Sequence, residues 1–281
     1  MIDFTSCQEL PSSYGGSEKK RKLVYSGENY LVKFPDPVRE QKNQLSYMNN
    51  QFSEYIGCHI FESVGIPAQE TLLGIYREPG GKEKIVVACK DFTTPGCVLQ
   101  EFSSLGNETT TIEYRIKPSI EDVYAVIEAQ PTTINKPEIM AAFWNMFVID
   151  ALIANKDRHL NNWGFLCADG QVTFSPVYDC GSSLHALLSD ERCGELLADY
   201  TEFKNQCFNA FSAYSYDGKR INCADFFKTP IPPLEAAIKR MVPRIDMRKI
   251  REIIENTPYM SDVRKEFLFK SVALRKELIL D

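Results

Sequence analysis

The stretch Asn155-Lys156-Asp157-Arg158-His159-Leu160-Asn161-Asn162-Trp163-Gly164-Phe165-Leu166 decides how this chain is read. It follows the apolar run Pro137 to Ala154, which reads as a helix with its proline in the first turn, where a missing N–H costs nothing. A helix that ends in Asp, Arg, His and Asn gathers polar groups on one loop, and such loops are solvated or carry function. After it, Trp163 to Cys167 and Gln171 to Phe174 read as a short hairpin about Ala168-Asp169-Gly170. The hairpin returns the chain to its starting point. Asp179, in Ser175-Pro176-Val177-Tyr178-Asp179-Cys180-Gly181, is thereby expected beside Asp157 and Asn162.

Outward toward the N-terminus, Lys22 to Cys89 has the pattern of a small antiparallel sheet with one helix. Lys22 to Tyr25 and Tyr30 to Phe34 flank the turn-like Ser26-Gly27-Glu28-Asn29. Alternation puts Leu31 and Lys33 on one face and Tyr30, Val32 and Phe34 on the other, and Pro35 and Pro37 end the strand. Phe52, Tyr55, Ile56, His59 and Ile60 recur at helical spacing within Ser46 to Val64, stopped by Gly65 and Pro67. A second hairpin runs from Glu70 to Tyr76 and from Lys84 to Cys89, turning at Glu78-Pro79-Gly80-Gly81-Lys82. The polar stretch Ser103 to Ser119 reads as a linker or surface excursion. Beyond it, helices are expected at Ile120 to Ala129, Pro137 to Ala154, near His185 to Tyr200, Pro233 to Met241, Pro243 to Asn256 and Ser261 to Leu280.

Composition narrows the function classes. Across 281 residues, 32 Lys plus Arg face 38 Asp plus Glu, and the net charge of −6 speaks against binding driven by nucleic-acid phosphates. No run approaches the apolar length of a membrane span, and Met1-Ile2-Asp3-Phe4 lacks the charged and apolar regions of a signal peptide. Nine cysteines, odd in number and without a CxxC pair, argue for a reducing, cytoplasmic setting, and three histidines leave little material for zinc.

Phosphoryl transfer with Mg²⁺ asks for one carboxylate to orient the attacking hydroxyl, and for an Asn and an Asp as oxygen ligands of metal bridging the phosphates. Asp157, Asn162 and Asp179 supply that set, and the five-residue step from Asp157 to Asn162 matches the Asp-to-Asn step of a protein-kinase catalytic loop. Asp157-Arg158-His159-x-x-Asn162, the hairpin, then Ser175-Pro176-x-Tyr178-Asp179 resembles the catalytic core of the HipA-like serine/threonine kinases. Tyr-Leu-Val-Lys-Phe-Pro at 30 to 35, Phe-Ser-Glu-Tyr at 52 to 55, Val-Val-Ala-Cys-Lys-Asp-Phe-Thr-Thr at 86 to 94 and Pro-Arg-Ile-Asp-Met at 243 to 247 extend the resemblance over nearly the whole chain, toward the family's short members.

The resemblance implies an α+β, two-lobe, protein-kinase-like fold with an antiparallel sheet N-lobe and a mainly helical C-lobe. Residues 1–94 would form the first lobe, 95–118 the hinge exit and linker, and 119–281 the second lobe. It implies that Asp157 is the catalytic aspartate, that Asn162 and Asp179 hold Mg²⁺, and that Lys33 contacts the phosphates of ATP while Glu54 holds Lys33 in place. Leu31, two residues before Lys33 on the same face, would roof the adenine. Main-chain groups around Cys89, Lys90 and Asp91 would face its edge, and His159 belongs to the expected nucleotide site. Gly15, Gly16 and Ser17 lie in a glycine-containing segment whose N–H groups suit phosphates, although it is not a full GxGxxG.

Further implications are a protein substrate, autophosphorylation of a serine in that segment, an antitoxin-like partner, and export without a signal peptide. Neither nucleic acid nor membrane is expected as a partner. Bland readings stand beside these. Lys33 taken singly is a solvated strand lysine, Glu54 a surface helix residue, Asp157-Arg158-His159 a salt-bridge cluster at a helix end, and Lys19 to Lys22 a solvated edge. A lipid or small-molecule kinase with a similar loop, and a pseudokinase-type binding module, are the alternative functions.

Overall fold

Alternating burial along the second hairpin strand organises the first part of the molecule. The structure is a computed structural model and describes residues 2–11, 19–35, 48–105, 118–130 and 135–277. Strands β1 (Gln8–Leu10), β2 (Lys20–Tyr25), β3 (Glu28–Lys33), β4 (Thr71–Arg77) and β5 (Glu83–Lys90) make one sheet in the order β1-β2-β3-β5-β4. Every pairing in it is antiparallel. Helix α1 (Asn50–Ser63) lies between β3 and β4 in the chain and starts later than the expected Ser46.

Tyr30, Val32 and Phe34 point to one side of the sheet, where they meet Phe4, Leu23, Tyr76, Val86 and Ala88. The opposite side carries Leu73, Val87 and Cys89, which join Phe52, Ile56 and Ile60 of α1 in the large core. A strand buried on both faces needs this two-sided apolar supply. Lys33 is the polar exception, only 7% exposed.

The chain continues through β6 (Cys97–Glu101), a 3₁₀ turn at Phe102–Leu105, α2 (Ile120–Ala129), α3 (Lys136–Leu152), β7 (Gly164–Ala168) and β8 (Gln171–Phe174). The predicted hairpin is thus the β7–β8 pair, extended by β6 into a three-stranded sheet. Cys97–Glu101 lies inside the stretch expected as hinge exit and linker. Five residues are too few for periodicity to separate strand from loop, and pairing with β7 decides the matter.

Next come α4 (Asp190–Ala198), α5 (Tyr200–Phe208), β9 (Phe211–Tyr216), β10 (Lys219–Asn222), α6 (Cys223–Phe226), α7 (Pro232–Met241), α8 (Met247–Glu255) and α9 (Asp262–Arg275). The helix expected to begin near His185 begins at Asp190 instead, capped by the Ser189 hydroxyl, because Leu184 and His185 take φ of 50° and 56° and cannot enter a right-handed helix. Pro243 opens no helix either; it sits in a 3₁₀ turn, and α8 is capped by Asp246. The β9–β10 hairpin had a local signal, Asp217-Gly218 with φ of 48° and 70°, the positive pair a tight hairpin turn requires.

The result is an α+β fold of two lobes, with a large core that runs from the sheet into the helices through Phe143, Trp144, Phe147 and Trp163. All nine cysteines are free thiols. Among the described residues no helix is long and apolar enough to cross a membrane.

Candidate active site

Helix α3 delivers the loop from one buried acid. Asp150 is 5% exposed in the last turn of an otherwise apolar segment, and a carboxylate there needs donors. Asn155 Nδ2 donates to its Oδ1 at 2.9 Å, and Arg158 Nε and Nη2 donate to Oδ2 and Oδ1 at 2.9 and 3.1 Å. Arg158 also donates through Nη1 to the main-chain oxygens of Asn162 (2.7 Å) and Tyr178, and through Nη2 to Cys180 Sγ at 3.3 Å. One buried guanidinium therefore ties the end of α3 to the loop at 155–162 and to the segment that carries Asp179.

Within the loop, Asn155 Oδ1 accepts from Asp157 N at 3.2 Å, and Asp157 O accepts from His159 N and Asn162 Nδ2, both at 2.8 Å. Committing Nδ2 to the backbone leaves the amide oxygen of Asn162 as the end available to a cation. Asp157 keeps its carboxylate half-exposed, with Ser182 Oγ donating to Oδ2 at 3.3 Å and His159 Nε2 4.0 Å from Oδ1.

Lys33, on β3, joins the sheet to this loop system. Its Nζ lies 2.7 Å from Asp179 Oδ1 and 3.1 Å from Glu54 Oε2 of α1. The approach of α1 depends on Gly57, where a Cβ would lie 2.7 Å from Cys180 Cβ. Asp179 itself has φ of 58°, a left-handed conformation that Asp tolerates better than most residues.

The charges are set by these contacts. Burial alone would raise Asp179, but Lys33 overrides it and holds the carboxyl down at about 2. Burial likewise opposes the charge on Lys33, and Asp179 with Glu54 more than offsets it. Asp157 goes the other way, raised by burial and by the negative charge of Asp179. Two carboxyls in one site are thus pushed apart, one kept ionised and one made a better proton acceptor.

The structure brings Lys33, Glu54 and Asp179 together, and Asp157, Asn162 and His159 onto one loop. Leu31 is half-buried opposite Cys89 on the face of Lys33. Cys89 is fully buried, its thiol pushed well up by burial.

Neighbouring charges hold the side chains of Lys90 and Asp91. The Lys90 side chain lies on the other face, 3.5 Å from Glu28 and 3.4 Å from Glu70, and Asp91 pairs with Lys22 at 3.0 Å. Their amides donate to Glu70 O and Asn29 O, so both are committed to the sheet and neither N–H is offered to an adenine edge. Of the basic run, Lys19 pairs with Glu78 and Arg21 with Glu9, while Lys20 adds to the field that lowers Asp179. Gly15, Gly16 and Ser17 lie outside the described residues.

Asp150, Asn155 and Ser182 are the positions that the sequence reading left out. An acid inside the run Phe147-Val148-Ile149-Asp150-Ala151-Leu152 was the available signal, since burial on that helix demands a cation nearby. The salt-bridge reading of the loop holds in part: Arg158 pairs with Asp150 rather than with Asp157, and Asp157 has His159 Nε2 at 4.0 Å.

The HipA-like C-terminal domain family matches residues 12–256. The chain is 42% identical over 289 residues to the serine/threonine-protein kinase CtkA of Helicobacter pylori, covering 100% of this chain and 86% of that protein. A crystal structure of a proinflammatory kinase CtkA from Helicobacter pylori superposes with a TM-score of 0.88 at 41% identity, covering 100% of this chain and 95% of the other. HipA of Shewanella oneidensis, described with HipB and operator DNA, shares the fold at a TM-score of 0.56 and 16% identity, over 95% of this chain and 64% of that one.

Proposed function

The chain belongs to the HipA-like family, and from that premise we propose that it is an ATP- and Mg²⁺-dependent serine/threonine protein kinase. The observation that carries this reading is the ion network of Lys33, Glu54 and Asp179 placed against the loop of Asp157 and Asn162. Lys33, ordered by Glu54, binds phosphate oxygens of ATP, and Leu31 covers the adenine. Because the amides of Lys90 and Asp91 are committed, main-chain contact with the adenine edge falls to carbonyls or to residues beyond Asp91.

The donors present fit Mg²⁺. Asn162 has its amide nitrogen tied back, and Asp179 is held ionised with one oxygen on Lys33. Such a pair of hard oxygens is what Mg²⁺ takes from a protein when phosphates and water complete its shell. Bound there, the ion would neutralise charge on the phosphates. Asp157 takes the proton of the acceptor hydroxyl as its oxygen bonds to the γ-phosphorus and the bond from that phosphorus to the β–γ bridging oxygen breaks. Its raised carboxyl favours that step, and His159 steadies it.

The proposal also takes residues 1–94 and 119–281 as the two lobes joined through 95–118, and Gly15, Gly16 and Ser17 as the phosphate cover. It includes autophosphorylation on Ser12, Ser13 or Ser17, a protein substrate, and a cytoplasmic setting. An antitoxin-type partner rests on family membership alone.

Calorimetric titration of ATP with and without Mg²⁺, together with phosphopeptide mapping after incubation, tests the reading. Asp157→Asn should retain Mg·ATP binding and lose transfer by roughly 10²–10⁴-fold, whereas Asp179→Ala should lose the Mg²⁺-dependent part of the affinity. Absence of ATP binding in the wild type, or equal transfer in all three folded proteins, overturns it.

A further inference from the structure

A cavity of about 290 Å³ opens beside Asp157, and neither Lys33, Asn162 nor Asp179 lines it. Its polar wall is made by Lys156, Ser182, His185, Gln206, Asn209 and Arg220, and none of its lining residues is a carboxylate. Arg220 is exposed, donates through Nε to Ser212 O at 3.2 Å and stacks over Phe211 with 5.2 Å to the ring centre. Among the described residues it makes no ion pair. Lys156 and Arg220 line the same space; burial and Arg220 weigh against the Lys156 ammonium, and Asp157 beside it offsets part of that.

Behind His185 lies a buried cation that is not itself part of the wall. Arg275 is 1% exposed, bonded to Leu152 O at 3.1 Å and Cys207 O at 3.4 Å, and among the described residues it has no carboxylate partner. It meets His185 Nε2, and burial together with that guanidinium keeps the ring neutral; His185 Nδ1 lies 3.2 Å from Gln206 Nε2. Two cations, Lys156 and Arg220, and several neutral donors therefore line a cavity with no carboxylate in its wall, and the Ser182 hydroxyl links it to Asp157.

We propose that this cavity is an acceptor-side anion site, which takes a carboxylate or phosphoryl group carried by the substrate polypeptide next to its serine or threonine. The inference rests on the kinase reading for the word acceptor. Lys156 is the chain neighbour of Asp157 and Ser182 bonds to it, so a group in the cavity lies within reach of the residue flanking the acceptor, given a Cα spacing of about 3.8 Å. The fork of Arg220 beside the Lys156 ammonium suits a planar or tetrahedral oxyanion.

The test measures fluorescence anisotropy of labelled serine peptides on the full chain without nucleotide, the serine being flanked by Ala, Glu or phosphoserine. The acidic peptides should bind about tenfold more tightly than the Ala peptide, with the phosphoserine and Glu arms telling which oxyanion is preferred. Arg220→Ala and Lys156→Met should each erase most of that preference, while Arg248→Ala, at a side chain 90% exposed elsewhere, should keep it. Equal binding of the three peptides by wild type, or a preference that survives Arg220→Ala, overturns the site. Inorganic phosphate that competes as well as the phosphopeptide overturns the polypeptide assignment. Failure of ATP binding would remove the kinase reading instead, and the peptide result would still be legible.

Discussion

Arg158 shows what a buried charge requires at the scale of one residue. All five N–H donors of its guanidinium are engaged, by Asp150 twice, by two carbonyls and by a thiol sulfur, at 2% exposure. Removing it leaves Asp150 without its cation, and breaking one side of a buried pair costs about 3–5 kcal/mol. Arg158→Met is therefore expected to lose that much in denaturant unfolding, and Arg158→Met with Asp150→Leu to recover a large part. The pH dependence has a definite sign. Burial already raises Asp150 above its ordinary value, so the folded state holds its proton longer than the unfolded chain, and the ionised form is the penalised one. The deficit of Arg158→Met should thus be smaller at about pH 5 than at about pH 8. A single-variant deficit under about 1 kcal/mol at both would contradict the strut.

At the scale of elements, α1 is placed by a residue that lacks a side chain. Gly57 follows Glu54 by three positions and shares its face, so the contact of Gly57 with Cys180 brings Glu54 to Lys33 and Asp179. Ala would favour the helix by about 1 kcal/mol, yet its Cβ would meet Cys180 Cβ at 2.7 Å. Gly57→Ala is expected to keep its helical circular dichroism and to bind Mg·ATP several-fold more weakly, because the segment of Asp179 must shift. Wild-type affinity would show that the close approach is dispensable. Element positions were legible where caps and periodicity agree, as in α2, whose Ser119 and Asp122 form a reciprocal cap. They were not legible at Leu184 and His185, whose left-handed backbone is imposed by packing rather than by residue type.

At the scale of the molecule, the core is not divided between lobes. Val87 and Cys89 of the sheet, Phe52 and Ile56 of α1, and Trp144 and Trp163 of the helical part belong to one cluster, while the smaller cluster closes only the far side of the sheet. Lys33 to Asp179 adds a polar tie between the two parts, and Arg158 to Asp150 one within the helical part. Thermal unfolding should accordingly be one cooperative transition, with calorimetric and van't Hoff enthalpies in agreement. Two resolved transitions would mean that the lobes hold themselves together separately.

What the sequence determined by itself is what short-range periodicity and backbone chemistry determine. The step from Asp157 to Asn162 sets both groups on one loop, alternation in β3 puts Leu31 and Lys33 on one face, and Asp169-Gly170 closes the β7–β8 turn. Each is decided within a few residues, so the amino acids at those positions suffice. The choice of partners was left to tertiary structure. Lys33 and Asp179 are 146 positions apart, Arg158 selects Asp150 over its neighbour Asp157, and the cavity walls come from residues spread between Ala154 and Arg220. A charge can be read from a sequence, but the energy of that charge depends on burial and on the nearest opposite charge, and only the packing of distant elements sets those distances.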